Sequence, residues 1–310
     1  MILLMDMGTT NTRLFLFDGE KVIDTEKGAF GAGTTLSEGR AFLEESVRGL
    51  IGTILERNRL SARDIPYIVA SGMAGSELGI AEVPHLSAPA TLSDLVEGIK
   101  TVKAEAITEI PFRIVPGVRK NNEVGAIEDM MRGEETETFG VCDLVGINKN
   151  VVLVLPGSHN KVLTLDEDGA ICDFVTSMSG ELMSAVSGHT ILKGAVSYDY
   201  SLDEEALREG ADFAKTMGLG AALFRVRVLS KRPNTDADKI SSFFSGAILS
   251  ADAELAKEYA EQGKKVYVGG KATLRHALAL LIGGDVKELP DEVSGNAVSH
   301  GLSLVCKKIK

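Results

Sequence analysis

Residues 2–19 read ILLMDMGTTNTRLFLFDG, and residues 151–169 read VVLVLPGSHNKVLTLDEDG. Each stretch has an apolar run, a turn of small and polar residues, a second apolar run and an Asp-Gly pair. Short apolar runs bounded by such turns are typical of β-hairpins. A third short segment follows each Asp-Gly pair, at residues 21–24 and 170–174. The sequence therefore predicts the same three-stranded unit twice.

Both predicted hairpin turns are suited to binding anions. The first turn contains Gly8 and the second contains Gly157. Glycine lets the backbone adopt conformations that a side chain would block, and successive N–H groups in such turns form concave sites for phosphate. Two turns that face each other would hold a phosphate chain from both sides. The alternative is that each is an ordinary hairpin turn.

The composition excludes several classes of function. The chain has 310 residues, of which 44% are hydrophobic and 25% charged, enough for one large domain or two ordinary ones. Its formal net charge of −11 argues against binding to nucleic acid or to an anionic membrane, which needs a basic surface. Tryptophan is absent and aromatic residues make up 5%, so stacking sites for single strands are not expected either.

The cysteines and the N-terminus point to a protein of the cytoplasm. Cys142, Cys172 and Cys306 are far apart and form no CxxC pair, so neither a disulfide framework nor a zinc site is predicted. The first apolar run has no basic region before it and is interrupted by Asp6, unlike a signal peptide. No apolar stretch has the roughly 18 residues that a membrane helix needs.

The rest of the chain alternates strand-like and helix-like segments, which predicts an α/β protein of two similar halves. The best boundary is at residues 148–150, just before the second hairpin, and the cleft between halves is the expected ligand site. The further predicted strands are 67–70, 112–115, 265–268 and 285–288. The predicted helices are 40–57, 92–100, 134–144, 179–192, 201–217, 240–259, one that ends at 281, and 296–310.

Two carboxylates follow a glycine at the start of a predicted helix. The segment reads Met131-Arg132-Gly133-Glu134-Glu135-Thr136. Phosphoryl transfer uses one carboxylate to orient the attacking hydroxyl, while a metal ion and hydrogen-bond donors stabilise the charge. Asp6, at a strand end, is the candidate ligand for Mg²⁺, which prefers few carboxylates together with substrate oxygens. The alternative for Glu134 and Glu135 is a solvated acidic helix start.

Two further sites are less specific. Gly269 and Gly270 lie between a predicted strand and a helix, where the backbone can approach a nucleobase or phosphate closely. A plain strand-to-helix turn is an equal alternative. Glu181 in Ser179-Gly180-Glu181 is a second acid near a helix start, for which a surface or capping role is equally plausible.

Taken in order, these motifs resemble the sugar kinase, hsp70 and actin superfamily. Its members pair two phosphate-binding hairpins and place an adenosine-binding Gly-Gly turn late in the second domain. The order here is similar, with the first hairpin, Gly133-Glu134, the second hairpin and Gly269-Gly270. FGGY carbohydrate kinases have a Gly-Asp-Gln motif for the catalytic base where this chain has Gly133-Glu134-Glu135, so the base is either Glu134 or Glu135.

The similarity is more specific to the 2-dehydro-3-deoxygalactonokinase family. It covers nearly the whole chain, with a departure at Met7, where an aromatic residue is common in that family. The segments that carry it are 72–76, 84–89, Met131–Thr136, Leu155–Lys161, Met178–Leu182 and Phe244–Gly246.

The resemblance implies a fold and a reaction. The fold is two ribonuclease-H-like domains of the actin and hexokinase type with an interdomain cleft. Residues 1–148, completed by helix 296–310, would form the N-terminal lobe for the sugar acid, and residues 149–295 the lobe for adenosine. The reaction is phosphorylation of the 6-hydroxyl of 2-dehydro-3-deoxy-D-galactonate by ATP with Mg²⁺.

The resemblance also implies residue roles. Glu134 or Glu135 acts as the base beside Arg132, and Asp6 positions Mg²⁺. The residues implied around ATP are Gly8, Thr9, Thr10, Asn11, Arg13, Gly157, Ser158, His159, Lys161, Gly269, Gly270 and Ala272. Those implied around the sugar acid are Gly72, Met73, Ala74, Gly75, Ser76, Arg132 and Glu181.

Two alternatives remain open on the sequence. One is a kinase for another sugar acid, such as 2-dehydro-3-deoxygluconate, because the sequence does not fix the stereochemistry. The other is a nucleotide-switch module of the same superfamily without kinase activity. The expected partners are the sugar acid and ATP, with no nucleic acid and no membrane, and the oligomeric state is open between monomer and homodimer.

Overall fold

A computed structural model describes residues 1–122 and 124–309. The strands are β1 (Ile2–Met7), β2 (Thr12–Phe17), β3 (Val22–Gly28), β4 (Ile68–Gly72), β5 (Leu86–Ser87), β6 (Lys100–Val102), β7 (Phe112–Ile114), β8 (Val118–Asn121), β9 (Ile127–Met131), β10 (Val151–Leu155), β11 (Asn160–Leu165), β12 (Ile171–Ser177), β13 (Lys265–Val268) and β14 (Val286–Glu288). The helices are α1 (Thr34–Ser37), α2 (Arg40–Arg57), α3 (Leu92–Glu97), α4 (Glu134–Val145), α5 (Ser179–His189), α6 (Glu204–Met217), α7 (Leu219–Leu229), α8 (Ala237–Glu261), α9 (Ala272–Ile282) and α10 (Asp291–Lys308).

The chain packs as two compact units. The first consists of residues 1–149, 167–173 and the C-terminal segment from Gly295, and the second of residues 150–166 and 174–294. Within the described part of the chain, no helix combines the length and apolarity needed to cross a bilayer.

The sheets of the two units share one strand plan. The first unit has a six-stranded sheet in the order β3-β2-β1-β4-β7-β6, and a five-stranded sheet runs β12-β11-β10-β13-β14. In each, the first hairpin strand pairs antiparallel with the second and parallel with a later strand. The predicted pair of three-stranded units is confirmed, and the first unit also holds a three-stranded sheet, β5-β8-β9.

Each unit has its own apolar core. In the first, strand residues such as Leu3 and Met5 pack with the buried face of α2, which consists of Leu43, Val47, Leu50, Ile51, Ile54 and Leu55. In the second, Val152 and Val154 of β10 pack with the buried face of α8, which includes Phe243 and Ile248. The apolar strands and helix faces therefore fix the ends of β1, β4 and β10, where the candidate site residues lie.

Several predicted boundaries were wrong, and caps explain some of them. The helix predicted from residue 201 begins at Glu204, because the Asp203 carboxyl accepts the Ala206 N–H. The helix predicted to reach residue 100 ends at Glu97, because Lys100 belongs to β6. The last helix begins at Asp291, five residues before the predicted 296. Helix α7 and strand β9 are not among the predicted elements.

Candidate functional site

The tip of the first hairpin rests on the backbone of a glycine-rich loop. The turn is closed by the Gly8 N–H, which donates to the Asn11 carbonyl at 2.8 Å, and Thr9, Thr10 and Asn11 are exposed. From behind, Ala32 and Gly33 donate their N–H groups to the carbonyls of Gly8 and Thr9 at 3.0 and 2.9 Å. Their neighbour Gly31 permits this approach, since a Cβ there would lie 2.4 Å from the Gly8 oxygen.

An ion pair stands at the base of this hairpin. Asp6 lies opposite Arg13 in the β1–β2 ladder, and Arg13 donates from Nε and Nη2 to Asp6 Oδ2 at 3.0 and 2.6 Å. The Asp6 side chain is only 16% exposed. The expected phosphate partner Arg13 is therefore engaged by Asp6, and both of its hydrogen bonds go to the same carboxyl oxygen.

The end of β4 and the start of α4 come together beside Asp6. Gly72 lies opposite Met7 in the β1–β4 ladder, and a Cβ on Gly72 would be 3.5 Å from Asp6 Oδ1. Gly133, with φ of 106°, comes so close to Gly72 that its own Cβ would lie 3.2 Å from the Gly72 Cα. A side chain at Gly133 would be strained and crowded. The structure thus brings Glu134, the first residue of α4, to the strand ends that carry Asp6.

The acidic character of this region shows in Glu137, one turn along α4 from Glu134. Burial first, and then the charges of Glu134 and Asp6, raise the pKa of Glu137 to about 7, while Arg13 acts in the opposite direction. Electrostatic coupling of this kind falls off with distance, so these carboxyls share one neighbourhood. A divalent cation would relieve their mutual repulsion.

Glu135 has a different environment from Glu134. It is fully buried, and both of its carboxyl oxygens accept the Gly133 N–H, at 2.9 and 2.8 Å. Thr136 Oγ1 lies 3.3 Å from Glu135 Oε1. Burial first, and then the charge of Glu134, raise the pKa of Glu135 to about 8. Glu135 thus caps the start of α4 from inside, whereas Glu134 is half-buried.

Arg132 lies half-buried between loops of the first unit. Its Nη2 donates to the Val83 carbonyl at 2.6 Å and lies 3.3 Å from His85 Nδ1. Its Nη1 is buried and has no hydrogen-bond partner among the described residues. Burial lowers the pKa of Arg132, and burial together with the charges of Arg132 and Arg119 lowers the pKa of His85 to about 4. At neutral pH the imidazole is therefore uncharged and the guanidinium is the local cation.

The loop after β4 lies between Asp6 and Arg132. Residues Met73–Gly75 form one 3₁₀ turn, closed by the Ser76 hydroxyl, which donates to the Met73 carbonyl at 2.8 Å. Ala74 and Gly75 are buried and Met73 is half-buried. A Cβ on Gly75 would lie 3.0 Å from Arg132 Nη1. The predicted sugar-acid residues of the first unit, 72–76 and Arg132, are thus brought together with Asp6 and Glu134.

The tip of the second hairpin is organised by side chains. The Gly157 N–H donates to Asn160 Oδ1 at 3.0 Å. Gly157, Ser158 and His159 are exposed, while Asn160 is buried. Lys161, expected to offset phosphate charge, is only 3% exposed and lies within β11.

The start of α5 packs directly on this second tip. The Glu181 N–H donates to the Ser158 carbonyl at 2.9 Å, and a Cβ on Gly180 would be 1.9 Å from the Gly157 oxygen. His159 Nε2 lies 3.0 Å from Glu181 Oε2, and both side chains are exposed. Glu181, expected near the sugar acid or a metal-bound water, therefore lies beside His159 in the second unit.

A buried acid that the sequence analysis missed completes the support of the second tip. Asp252 in α8 is 6% exposed, and its Oδ2 accepts hydrogen bonds from Asn160 Nδ2 and Ser179 Oγ, both at 2.7 Å. The available signal was an acidic residue four positions after Ile248 on the apolar face of a predicted helix.

A pocket of about 350 Å³ opens beside the second tip. Gly157 and Ser158 line it, as do Lys271 and Thr273, which flank the predicted residue Ala272. Gly270, with φ of 82°, passes so close to Pro156 that a Cβ there would lie 2.5 Å from the proline Cγ. The expected adenosine residues Gly269, Gly270 and Ala272 thus form the backbone behind the lining rather than the lining itself.

The loop between α5 and α6 contributes aromatic side chains to the pocket lining. Tyr198 and Tyr200 line the pocket, together with Phe244 and Ser245 of α8. The Tyr200 hydroxyl lies 2.7 Å from Ser245 Oγ, and burial raises the pKa of Tyr200. The pocket therefore combines flat apolar walls with hydroxyl groups, the mixture typical of small-molecule sites.

The described residues hold no cluster of three or more His, Cys, Asp or Glu side chains arranged to bind a metal ion. Mg²⁺ keeps several waters and takes few protein carboxylates together with substrate oxygens. The Asp6 carboxyl, with Glu134 and Glu137 in its neighbourhood, fits such a site.

The sequence matches the profile of the 2-keto-3-deoxy-galactonokinase family over residues 6–304. The chain belongs to this family. It is accordingly a kinase, a phosphotransferase that acts on an alcohol group, and the family expected from the sequence motifs is confirmed.

Individual relatives agree with this assignment. The 2-dehydro-3-deoxygalactonokinase of Escherichia coli (strain K12) is 27% identical over 256 residues, which cover 82% of this chain and 80% of that protein. A Sinorhizobium meliloti structure titled "Crystal structure of a putative 2-dehydro-3-deoxygalactonokinase protein" superposes with a TM-score of 0.79 at 24% identity, over 100% of this chain and 99% of that one.

The fold extends beyond this kinase family. The activator of 2-hydroxyisocaproyl-CoA dehydratase from Clostridium difficile, solved with bound ADPNP, has a TM-score of 0.55 at 14% identity over 99% of this chain and 94% of that one. The chain therefore has the mixed α/β fold shared by sugar kinases and related ATPases.

Proposed function

We propose that this kinase transfers the γ-phosphoryl group of ATP to the 6-hydroxyl of 2-dehydro-3-deoxy-D-galactonate. The observation that carries the proposal is the convergence of Asp6, Glu134 and the unpaired Arg132 Nη1 around the ends of β1 and β4 in the first unit. The family match and the names of its relatives supply the substrate class.

Glu134 is the proposed base that orients the 6-hydroxyl. Phosphoryl transfer asks little more of a base than correct placement of the attacking oxygen. Glu134 is half-buried beside the region of Asp6, whereas Glu135 is fully buried with both oxygens on the Gly133 N–H. These surroundings support Glu134 rather than Glu135 as the base.

Asp6 is the proposed Mg²⁺ ligand, directly or through water. When bound, the ion would neutralise charge on the transferred phosphoryl group. Arg13 holds Asp6 in place through two hydrogen bonds to one oxygen, which leaves the other for the ion.

The sugar-acid carboxylate is proposed to bind Arg132 and the loop at residues 71–76. A buried N–H group without a partner carries a desolvation cost that a bound carboxylate would offset. The Ser71 hydroxyl is also buried and, like Arg132 Nη1, has no partner in the described part of the chain. A guanidinium and a hydroxyl suit a carboxylate that carries neighbouring oxygen groups.

The nucleotide is proposed to bind in the 350 Å³ pocket of the second unit, with the exposed Ser158 and His159 contacting phosphate oxygens. In the first unit, the exposed residues Thr9, Thr10 and Asn11 are proposed to bind phosphate oxygens as well. Adenosine would occupy the pocket beside Lys271 and Thr273. We further propose that each unit is a ribonuclease-H-like domain, supported by the strand plan that their sheets share.

An ADP-release assay with a panel of 2-keto-3-deoxy acids tests the proposed reaction. We expect turnover with the galactonate derivative and much less with its gluconate epimer. Faster turnover of the gluconate epimer would make 2-dehydro-3-deoxygluconate the substrate. ATP hydrolysis at the same rate with and without every sugar acid would favour a nucleotide switch instead.

Glu134→Gln tests the proposed base. We expect turnover to fall at least ~100-fold, the usual scale for a general base, with little change in ATP affinity. Glu135→Gln is the matched control, one residue along the same helix, and should retain more activity than Glu134→Gln. The opposite order would move the role to Glu135.

A further inference from the structure

Helix α8 buries one carboxyl group among apolar and small residues. Asp252 is 6% exposed, and its neighbours Ala253 and Leu249 are 2% and 1% exposed. Asp252 forms no ion pair with any residue that the structure describes, and its two hydrogen-bond donors are the neutral side chains of Asn160 and Ser179. Burying a carboxyl costs free energy unless its hydrogen bonds are well satisfied. Because its burial costs free energy, the Asp252 carboxyl is a candidate for a specific structural or functional role.

The first arm of this network reaches the hairpin tip through Asn160. Asp252 Oδ2 accepts from Asn160 Nδ2 at 2.7 Å, which leaves the amide oxygen of Asn160 to accept the Gly157 N–H at 3.0 Å. The two bonds fix one orientation of the amide, because a reversed amide would point its N–H groups at the Gly157 N–H and its oxygen at the Asp252 carboxylate. Asp252 therefore determines that the oxygen of the Asn160 amide, and not its nitrogen, faces the Gly157 N–H.

The second arm reaches the same tip through the start of α5. The Ser179 hydroxyl donates to Asp252 Oδ2 at 2.7 Å and lies 2.9 Å from the Ser177 hydroxyl. The next residue, Gly180, is in close contact with the Gly157 carbonyl. One carboxyl oxygen thus holds both the turn and the helix start that packs on it.

The consequence for ligand binding follows from the Gly157 N–H. Because this group is committed to Asn160, the donors that the tip offers to an anion belong to the exposed residues Ser158 and His159. Their direction depends on the conformation that Asn160 imposes. Ser158 and Gly157 also line the 350 Å³ pocket, so a nucleotide held in the pocket would have its phosphates beside the tip.

We propose that Asp252 is a positioning residue that holds the second hairpin tip in the conformation that binds the phosphates of the nucleotide. The inference rests on the proposed nucleotide site. It makes phosphate binding by an exposed turn depend on a buried carboxyl 92 residues away along the chain.

The dissociation constants of ADP and adenosine, measured by calorimetry, test this proposal. For Asp252→Ala and for Asn160→Ala we expect ADP to bind about tenfold more weakly, the effect of losing roughly one hydrogen bond. Adenosine affinity should change less than about threefold, because adenosine lacks the phosphates. The double variant should be little weaker than either single variant, since both substitutions break one chain of bonds. Asp252→Asn should recover most of the loss, because its amide oxygen can accept both bonds.

Ser250→Ala is the matched control. Ser250 lies on the same helix and is 8% exposed, but its hydroxyl donates to the Ala247 carbonyl within α8. We expect this variant to bind ADP as the parent protein does. Unchanged ADP affinity in Asp252→Ala, or equal loss of ADP and adenosine, would overturn the proposal. If Asp252→Ala does not fold, Asn160→Ala and Ser179→Ala decide in the same way. A parent protein that binds no ADP would instead refute the proposed function.

Discussion

The two hairpins share a strand plan but are supported by different chemistry. The tip of the first rests on main-chain hydrogen bonds from Ala32 and Gly33, made possible by the missing side chain of Gly31. The tip of the second receives one main-chain bond, from the Glu181 N–H to the Ser158 carbonyl, but it also rests on side-chain bonds that end at Asp252. A backbone support tolerates changes of residue type wherever glycine is not required. A side-chain support tolerates only residues that reproduce its donors and acceptors.

Charge separates the hairpins as well. Asp6 is paired with Arg13 across the β1–β2 ladder, whereas Leu155, the residue that aligns with Asp6 when Gly157 is aligned with Gly8, is paired with Lys161 across the β10–β11 ladder. The first hairpin therefore has a carboxyl group at its base where the second has an apolar residue. Metal binding is expected only at the first.

The largest expected effect comes from removing that carboxyl. We expect Asp6→Asn to lower turnover about 1,000-fold, equivalent to about 4 kcal/mol of transition-state stabilisation, since a bound Mg²⁺ contributes several kcal/mol. Steady-state kinetics over a Mg²⁺ titration should also show a higher half-saturating concentration.

Leu155→Met makes a volume-conserving change at the aligned position and serves as the control. It should alter turnover less than threefold, because such swaps cost little. Turnover of Asp6→Asn within tenfold of the parent would show that the charge difference between the hairpins has no catalytic meaning.

Next in size are the glycines on which the two tips rest. A Cβ at Gly31 would meet the Gly8 oxygen at 2.4 Å, and one at Gly180 would meet the Gly157 oxygen at 1.9 Å. We expect either alanine substitution to lower the free energy of unfolding by about 2–4 kcal/mol, as overpacking against backbone does. Urea denaturation followed by circular dichroism measures this change.

Gly49→Ala is the control for both glycine variants. Gly49 is exposed in α2, and a Cβ there would have nothing within 4 Å. Because alanine favours helix, this variant should be as stable as the parent or up to about 1 kcal/mol more stable. Equal stability of all three variants would contradict the close approaches on which the hairpin supports depend.

A smaller effect concerns pH and the acidic surroundings of the first hairpin. Burial and Glu134 raise the pKa of Glu135 to about 8, whereas the unfolded chain releases this proton near 4.5. Between these values the folded state binds more protons, so stability falls as pH rises, by at most about 1.4 kcal/mol per pH unit. Glu137, whose pKa is raised to about 7, acts with the same sign.

Glu135→Gln should therefore flatten the pH dependence of unfolding between about pH 4.5 and pH 8. Denaturation midpoints measured at pH 5.5, 6.5 and 7.5 give the slope. The exposed Glu56 provides the control, because Glu56→Gln should leave the slope as it is in the parent. An unchanged slope in Glu135→Gln would show that Glu135 is ionised in the folded protein.

Local periodicity predicted most of the fold. The faces of α2 and the strands of both hairpins depend on residues close in sequence, so their patterns could be read directly. The motif at Gly133-Glu134 was visible for the same reason, since a glycine before two acids marks a helix start. The unequal burial of Glu134 and Glu135 could not be predicted from the sequence, because it depends on which residues pack against α4.

The support of the second tip could not be predicted, because it joins residues far apart in the sequence. Asn160 and Asp252 are 92 positions apart, and Ser179 and Asp252 are 73 apart. The place of Asp252 four residues after Ile248 on the apolar face of α8 indicates that it is buried, but nothing local indicates its partners. The position of Tyr198 and Tyr200 in the pocket wall could not be predicted for a similar reason, because the residues that line the pocket with them, Phe244 and Ser245, lie in α8.

The smallest expected effects are at the exposed tips themselves. Thr9 and Ser158 occupy aligned positions after Gly8 and Gly157, and both are exposed. Thr9→Ala and Ser158→Ala should each weaken ADP binding by about two- to tenfold, the net value of one hydrogen bond, because backbone donors remain. The free energy of unfolding should change by less than about 0.5 kcal/mol, as at other surface sites.

Thr9→Ser and Ser158→Thr retain the hydroxyl groups and should bind ADP nearly as tightly as the parent. Fluorescence titration with ADP and urea denaturation on the same samples separate the two quantities. We expect Gly31→Ala and Gly180→Ala to change both the free energy of unfolding and the affinity for ADP, whereas Thr9→Ala and Ser158→Ala should change only the affinity for ADP. A tip substitution that lowers the free energy of unfolding as much as Gly31→Ala would mean that the exposed hydroxyl helps to hold the hairpin in place. For that hairpin, ligand binding and structural support would then not be separate roles.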